Sequence, residues 1–298
     1  MPASPTPRRP GPTSRSRRQF LLQGSLLIGA ATLPAPFATA AADGRRLALL
    51  ICCGSYPDGK NIQPARKNGR DLEAALRRQG FEVSVENDLE LPRFRDAIAH
   101  FGQRLAALPN DGQTIGLIYF CGHGMQVEGR NYLLPSGVAI DDPKARERSI
   151  NLQDEVLKAF PQRYPGLGVA VIDACRDSAE PVDKAGSFNY SSAPQGCIVA
   201  FSASAGQVSL SPSDPAQNSF YTGELVRVLN GIDDATPITD IFELTRLRVE
   251  KTMSTHPVAI VRKLAQRTEL FSDQIEALLR EIHVRSEERR VGKECLRL

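Results

Sequence analysis

The stretch Val169-Ala170-Val171-Ile172-Asp173-Ala174-Cys175-Arg176-Asp177 decides how this 298-residue chain is read. A short apolar run breaking into a charged turn is the pattern of a buried strand that delivers one side chain, here Cys175, to the rim of a sheet. Free cysteine is among the most buried residue types and most are inert packing, so a functional thiol needs a partner. One stands 52 residues upstream, where Thr114 to Cys121, T-I-G-L-I-Y-F-C, breaks at Gly122-His123-Gly124. The two runs end alike, each presenting a titratable side chain just past a strand. A core Cys and an unrelated turn His would leave that match unexplained. The interval accommodates the crossover that parallel neighbours require, and in open α/β sheets chemistry gathers at the carboxyl ends of strands.

The surrounding chain fits that sheet. Leu47 to Cys53, L-A-L-L-I-C-C, is a continuous apolar run bounded by Gly54 and Pro57, as expected of a strand buried on both faces. Leu72, Ala75, Leu76 and Gln79 recur at helical spacing across Ala65 to Gln79, with Gly80 at the C-cap position and a strand at Phe81 to Val85. Pro92 opens a second helix carrying Phe94, Ile98, Phe101, Leu105 and Leu108. Alternating strands and helices mean a parallel sheet. Past His123, Met125 to Val127 and Tyr132 to Leu134 flank Glu128-Gly129-Arg130, a hairpin signal, and Leu152 to Phe160 is a short helix entered near Asn151. Ser178 to Pro194 reads as a loop beside the thiol. Cys197 to Phe201 is a strand and Ser219 to Leu229 a helix. A longer helix, Pro237 to Met253, has Ile238, Ile241, Leu244, Leu247 and Arg248 on one side, and Val258 to Val261 reads as the last strand.

Residues 1–42 read as a separate segment. Ser16-Arg17-Arg18-Gln19-Phe20-Leu21 precedes a moderately apolar stretch to about Leu33 and then Ala38-Thr39-Ala40-Ala41-Ala42, which resembles a twin-arginine export signal with its cleavage site. The apolar part is too short to span a bilayer of about 30 Å. The mature protein is therefore expected outside the cytoplasm, periplasmic or extracellular, with no membrane association after signal removal. Removing the five arginines of this acid-free segment from the totals leaves 32 basic against 34 acidic residues, so nucleic-acid binding is not indicated. Cys52, Cys53, Cys121, Cys175, Cys197 and Cys295 show neither a disulfide-framework spacing nor a C-x-x-C metal pair. Residues 43–273 suffice for one domain, and 274–298 form a densely charged tail not expected to pack.

With both motifs in view, the chain resembles the caspase and metacaspase superfamily of cysteine peptidases, in its bacterial caspase-like branch. A known caspase signature is Q-A-C followed by Arg, Gln or Gly and then Gly, with the His about 50 residues upstream. Here it reads D-A-C-R-D: Ala174, Cys175 and Arg176 match, while Asp173 and Asp177 depart, the former in the metacaspase manner. The segment Y-F-C-G-H-G around His123 is similar to the family's Y-x-G-H-G. The resemblance, covering about Arg46 to Ser272, implies an α/β three-layer sandwich with a mostly parallel six-stranded sheet and helices on both faces. It also implies a linker at Ser178 to Pro194 that family members often cleave, with Lys184 as a candidate point and an uncut surface loop as the alternative.

The chemistry follows from the residue types. A thiol attacks as its thiolate, and an imidazole can take its proton or pair with it, so Cys175 and His123 are the catalytic candidates. The oxyanion needs fixed donors, and the backbone N–H groups of Gly124 and Cys175 are the candidates, as the resemblance also implies. In metacaspases two acidic side chains select Arg or Lys before the scissile bond. Asp173 corresponds to one, while Asn68 stands where the other is expected, so a basic preference with Arg above Lys follows. Cys52-Cys53 also departs from the family's pattern. The reading is a cysteine endopeptidase acting on peptide or protein substrates; the alternative is a catalytically attenuated peptide-binding or scaffolding module. No cofactor is expected. Calcium is the one ion the resemblance leaves open, but Asp141 and Asp142 lack the alternating oxygen ligands of a calcium loop.

Overall fold

The computed structural model describes residues 45–109, 112–161, 166–174, 177–178, 196–203, 209–212, 214–233, 236–263 and 268–272. The first half alternates as β1 (Arg46–Cys52), α1 (Ala65–Arg78), β2 (Glu82–Asn87), α2 (Leu91–Ala106) and β3 (Ile115–Gly122). A hairpin follows, β4 (Gly124–Val127) and β5 (Arg130–Leu133), turning through Glu128 and Gly129 in the left-handed region at φ 51° and 75°. Next come β6 (Ile150–Asn151), β7 (Leu167–Ala174), β8 (Asp177–Ser178), β9 (Cys197–Phe201), α3 (Phe220–Gly231), α4 (Ile238–Ser254), α5 (Ala259–Lys263) and β10 (Glu269–Ser272).

Six strands form the main sheet in the order β10-β9-β7-β3-β1-β2, parallel except for β10 at one edge. Its strands are buried on both faces, which is why they read as unbroken apolar runs. In β1, Leu47, Leu49 and Ile51 pack toward Phe94, Ile98, Phe101 and Leu105 of α2. Ala48, Leu50 and Cys52 face the other way, toward Leu72 and Leu76 of α1, Tyr221 and Leu225 of α3, and Phe242 and Val249 of α4. That period-two partition makes the three-layer sandwich expected from sequence. Each fully buried Leu or Phe contributes about 1.5–3 kcal/mol of transfer free energy. A smaller sheet, β6-β5-β4-β8, sits at the carboxyl end of β3 and β7.

Several local expectations are corrected. Val258 to Val261 is not the last strand: Ala259–Lys263 is helical, and the sheet closes instead with Glu269–Ser272 antiparallel to β9. A four-residue apolar run does not distinguish strand from helix. In α4 the buried positions are Phe242, Thr245, Val249 and Met253, while Leu244 and Leu247 are exposed, so a second, equally periodic stripe faces the core. Leu152 to Phe160 forms a wide five-residue turn and a short 3₁₀ turn rather than one helix, although Asn151 caps it as expected, its Oδ1 accepting from Asp154 N at 2.9 Å. The segment 1–42, Ser178 to Pro194 beyond its first residue, and the tail from 274 lie outside the described residues.

Candidate active site

β3 and β7 are adjacent and parallel, and their register ends with Gly122 opposite Ala174, the residues that immediately precede His123 and Cys175 in the chain. The pairing resumes in the smaller sheet, with Met125 of β4 opposite Asp177 of β8. The two motif turns are therefore bracketed on both sides by strand pairing. Cys175 itself lies outside the described residues.

His123 is half-buried and held by the loop that follows β1. Its Nε2 lies 2.6 Å from the Lys60 carbonyl oxygen. A carbonyl only accepts, so Nε2 carries a proton, and in the neutral ring Nδ1 is the nitrogen with the free lone pair. Nδ1 is buried and without a hydrogen-bond partner among the described residues. The Tyr56 ring packs against the imidazole, centroids 4.4 Å apart and planes at 54°. Asp88, in the left-handed region at φ 52°, anchors the loop: its Oδ1 accepts from Gly54 N at 2.8 Å and Ser55 N at 2.9 Å, and its Oδ2 pairs with Arg66 at 2.8 Å. Desolvation opposes ionisation of Asp88, but those two backbone donors and the guanidinium outweigh it and hold its pKa below the ordinary carboxylate value.

Gly124 begins β4 opposite Leu133. Because Leu134 N donates to His123 O at 2.9 Å, His123 occupies the hydrogen-bonded position of this antiparallel pair and Gly124 the next, non-bonded one. Alternation then turns the Gly124 N–H away from β5, to the β8 side. Gly122 is required by space: a Cβ there would lie 2.4 Å from the Phe120 ring and 2.8 Å from the Tyr56 hydroxyl.

Asp173 is buried near the end of β7, where the carboxylate lines a cavity of about 310 Å³ whose rim includes His123, Pro64 and Pro212. Its Oδ2 accepts from the hydroxyls of Ser219 and Thr222, the latter at 2.6 Å, and its Oδ1 from Ser209 at 3.0 Å. Ser219 caps α3, its Oγ accepting from Thr222 N at 3.2 Å, so the anion also faces the positive end of a helix. These donors explain how a carboxylate stays where burial alone would cost several kcal/mol. Among the described residues no Lys or Arg pairs with it.

Asn68 and Asp173 meet through Ser219. Asn68 Nδ2 donates to Ser219 Oγ at 3.0 Å and Asn68 Oδ1 accepts from Ser219 N at 3.1 Å. Asn68 is fully buried behind the cavity wall and does not line it. α1 can bring it there because Gly69 lets the helix close onto β1, where a Cβ would sit 2.8 Å from Cys52 Sγ. Cys52 and Cys53 are thus core packing. Desolvation raises both thiols, Cys53 to about 11, and pushes Cys121 well above the ordinary thiol value, so none of these three is a ready thiolate. Asp141 pairs with Lys60 at 3.1 Å and Asp142 with Arg148 at 2.6 Å. The sequence reading missed Ser209, Ser219, Thr222, Tyr56 and the Lys60 carbonyl. Only Ser219 carried a signal, as the polar residue at a predicted helix start.

A family model described as the caspase domain matches residues 45–279. Over 131 residues the chain is 28% identical to mucosa-associated lymphoid tissue lymphoma translocation protein 1 of Homo sapiens and to its Mus musculus homolog. That alignment covers 44% of this chain and 15% of each relative. Among solved structures, caspase-1 from Spodoptera frugiperda matches with a TM-score of 0.58 and 15% identity, over 80% of this chain and 94% of that one, a likeness of fold.

Proposed function

The chain belongs to the caspase-domain family, a family of cysteine peptidases, and from that premise we propose that it is an endopeptidase acting through Cys175 and His123 and cleaving after basic residues, Arg above Lys. The observation that carries this reading is the state of His123: Nε2 committed to Lys60 O, Nδ1 buried and open, and the imidazole bracketed by the same two strand pairings that bracket Cys175. In the proposed sequence Nδ1 accepts the Cys175 proton and the thiolate attacks the scissile carbonyl. The Gly124 and Cys175 N–H groups receive the oxyanion. The imidazolium then protonates the departing amine as the C–N bond breaks, leaving a thioester. Water, deprotonated by Nδ1, attacks the thioester to release the acid and restore the thiol. Substrates are peptides or proteins, and no cofactor enters these steps.

Basic specificity is supported by Asp173, an anion on the cavity wall whose described partners are all neutral hydroxyls. Asn68 contributes one hydrogen bond away, by orienting Ser219. Export is part of the proposal and rests on Arg17-Arg18 and Ala38-Thr39-Ala40. The test is kcat/KM for matched peptides with Arg, Lys, Asp or Leu before the scissile bond. Arg should lead, Lys follow, and Asp be worst; preference for Asp or Leu over Arg contradicts the pocket assignment.

A further inference from the structure

Building on the dyad reading, we infer that Tyr56 is a positioning residue whose hydroxyl, inserted into the strand ladder beside His123, sets where the imidazole stands. In an antiparallel hydrogen-bonded pair two residues exchange both N–H···O bonds. His123 and Leu134 make only one of the two directly, Leu134 N to His123 O at 2.9 Å. The other is interrupted. His123 N donates to Tyr56 Oη at 2.9 Å, and Tyr56 Oη donates to Leu134 O at 3.2 Å. The phenol thus replaces a ladder bond with a two-bond relay and holds His123 away from β5.

The insertion is built. Tyr56 is 6% exposed, its N donates to Asn61 Oδ1 at 2.8 Å, and its ring lies against the imidazole it positions. Burial raises the phenol pKa well above its ordinary value, so the hydroxyl stays protonated and able to donate. The absence of a side chain at Gly122 leaves the hydroxyl its space. The same loop supplies the Lys60 carbonyl to Nε2, so one segment fixes the backbone, the ring plane and the tautomer of His123. Without the hydroxyl, either the His123 N–H is left without an acceptor or the ladder closes directly onto Leu134 O. Both move Nδ1 from its place.

Tyr56→Phe in the full chain keeps the ring and removes only the relay. Two readouts separate positioning from general damage: the pH dependence of Cys175 alkylation by iodoacetamide, taken against a Cys175→Ala background, and the kcat-against-KM split on an Arg peptide. Imidazole pairing matters at acidic pH, where a free thiol is protonated, and not at about pH 9.5, where the thiolate forms unaided. The variant should lose about 10-fold or more of the alkylation rate near pH 6 and keep it near pH 9.5, with kcat falling about 10- to 100-fold and KM within about 2-fold. An alkylation profile equal to that of the parent protein, or a loss equal at every pH, overturns the inference. Should Tyr56→Phe not fold, 3-fluorotyrosine at position 56 keeps a hydroxyl that can both accept from His123 N and donate to Leu134 O, and must retain the acidic-pH rate within about 3-fold; a larger loss overturns it. If the parent protein hydrolyses no peptide, the alkylation arm still decides on Tyr56. An active peptidase whose variant is unchanged refutes the positioning role alone.

Discussion

Replacing Asp173 by Asn removes a charge without changing shape, and the structure sets the size of the effect. The carboxylate accepts three hydroxyl hydrogen bonds, from Ser209, Ser219 and Thr222, and lies at the N-terminal end of α3. Oδ2 is occupied by two of these donors, so Oδ1, shared with Ser209 at the cavity, is the oxygen that the proposed substrate guanidinium would meet. A hydrogen bond to a charged group is worth about 1.5–3 kcal/mol. Loss of the charge should therefore cost about 2–3 kcal/mol, or roughly 30- to 160-fold in kcat/KM for an Arg peptide. A matched Leu peptide should change less than about 3-fold, because no charged contact is lost with it. The hydroxyls can rotate to accept from the carboxamide, so stability should fall by only about 1–2 kcal/mol, chiefly the helix-terminus term. The assay is steady-state hydrolysis of both peptides with thermal unfolding in parallel. An equal loss for Arg and Leu, or no loss for Arg, would refute the assignment of Asp173 to substrate recognition.

Three further outcomes follow from the same geometry. Asn68→Asp should leave kcat/KM for Arg peptides within about 3-fold, because the side chain is buried behind the cavity wall and reaches the pocket only through Ser219, at a cost in stability because donation to Ser219 and Cys121 is lost; a gain of about 10-fold or more contradicts this. Asp88 has a folded-state pKa below its unfolded one, so its stabilisation is complete above about pH 4 and fades as pH falls through the folded value. Asp88→Asn should accordingly destabilise by about 1 kcal/mol at neutral pH in urea melts, and a gap that does not narrow as the pH is lowered below about 4 contradicts the mechanism. Replacing Arg17 and Arg18 together by Lys should hold the precursor in the cytoplasm on fractionation, and normal export of that variant excludes the twin-arginine route.

The sequence exposed what depends on unbroken apolar runs. β1, β3, β7 and β9 are buried on both faces, so their composition announces them, and α1 and α2 show clean stripes because each packs one face on the sheet. Glu269–Ser272 has no such signature as an edge strand, and α4 carries two rival stripes, so both were misread. At the site, strand ends pointed to His123 and Cys175 because a side chain just past a buried run has one place to go, while Gly124 followed from the need for oxyanion donors and Asp173 from the family resemblance. The partners of these residues were hidden. Lys60 acts through its carbonyl, which no residue type encodes, and Tyr56 through a hydroxyl that substitutes for a ladder bond. Ser209 and Thr222 are ordinary polar residues until the fold brings them to Asp173 from 36 and 49 positions away.

The central claim is that Cys175 and His123 act as one unit, and the direct measurement is hydrolysis of an Arg peptide by Cys175→Ala, His123→Ala and the double variant, each shown to be folded. Each single change should abolish turnover and the double change should cost little more, since residues acting together are not additive. Parent-level peptidase activity in Cys175→Ala would contradict the account.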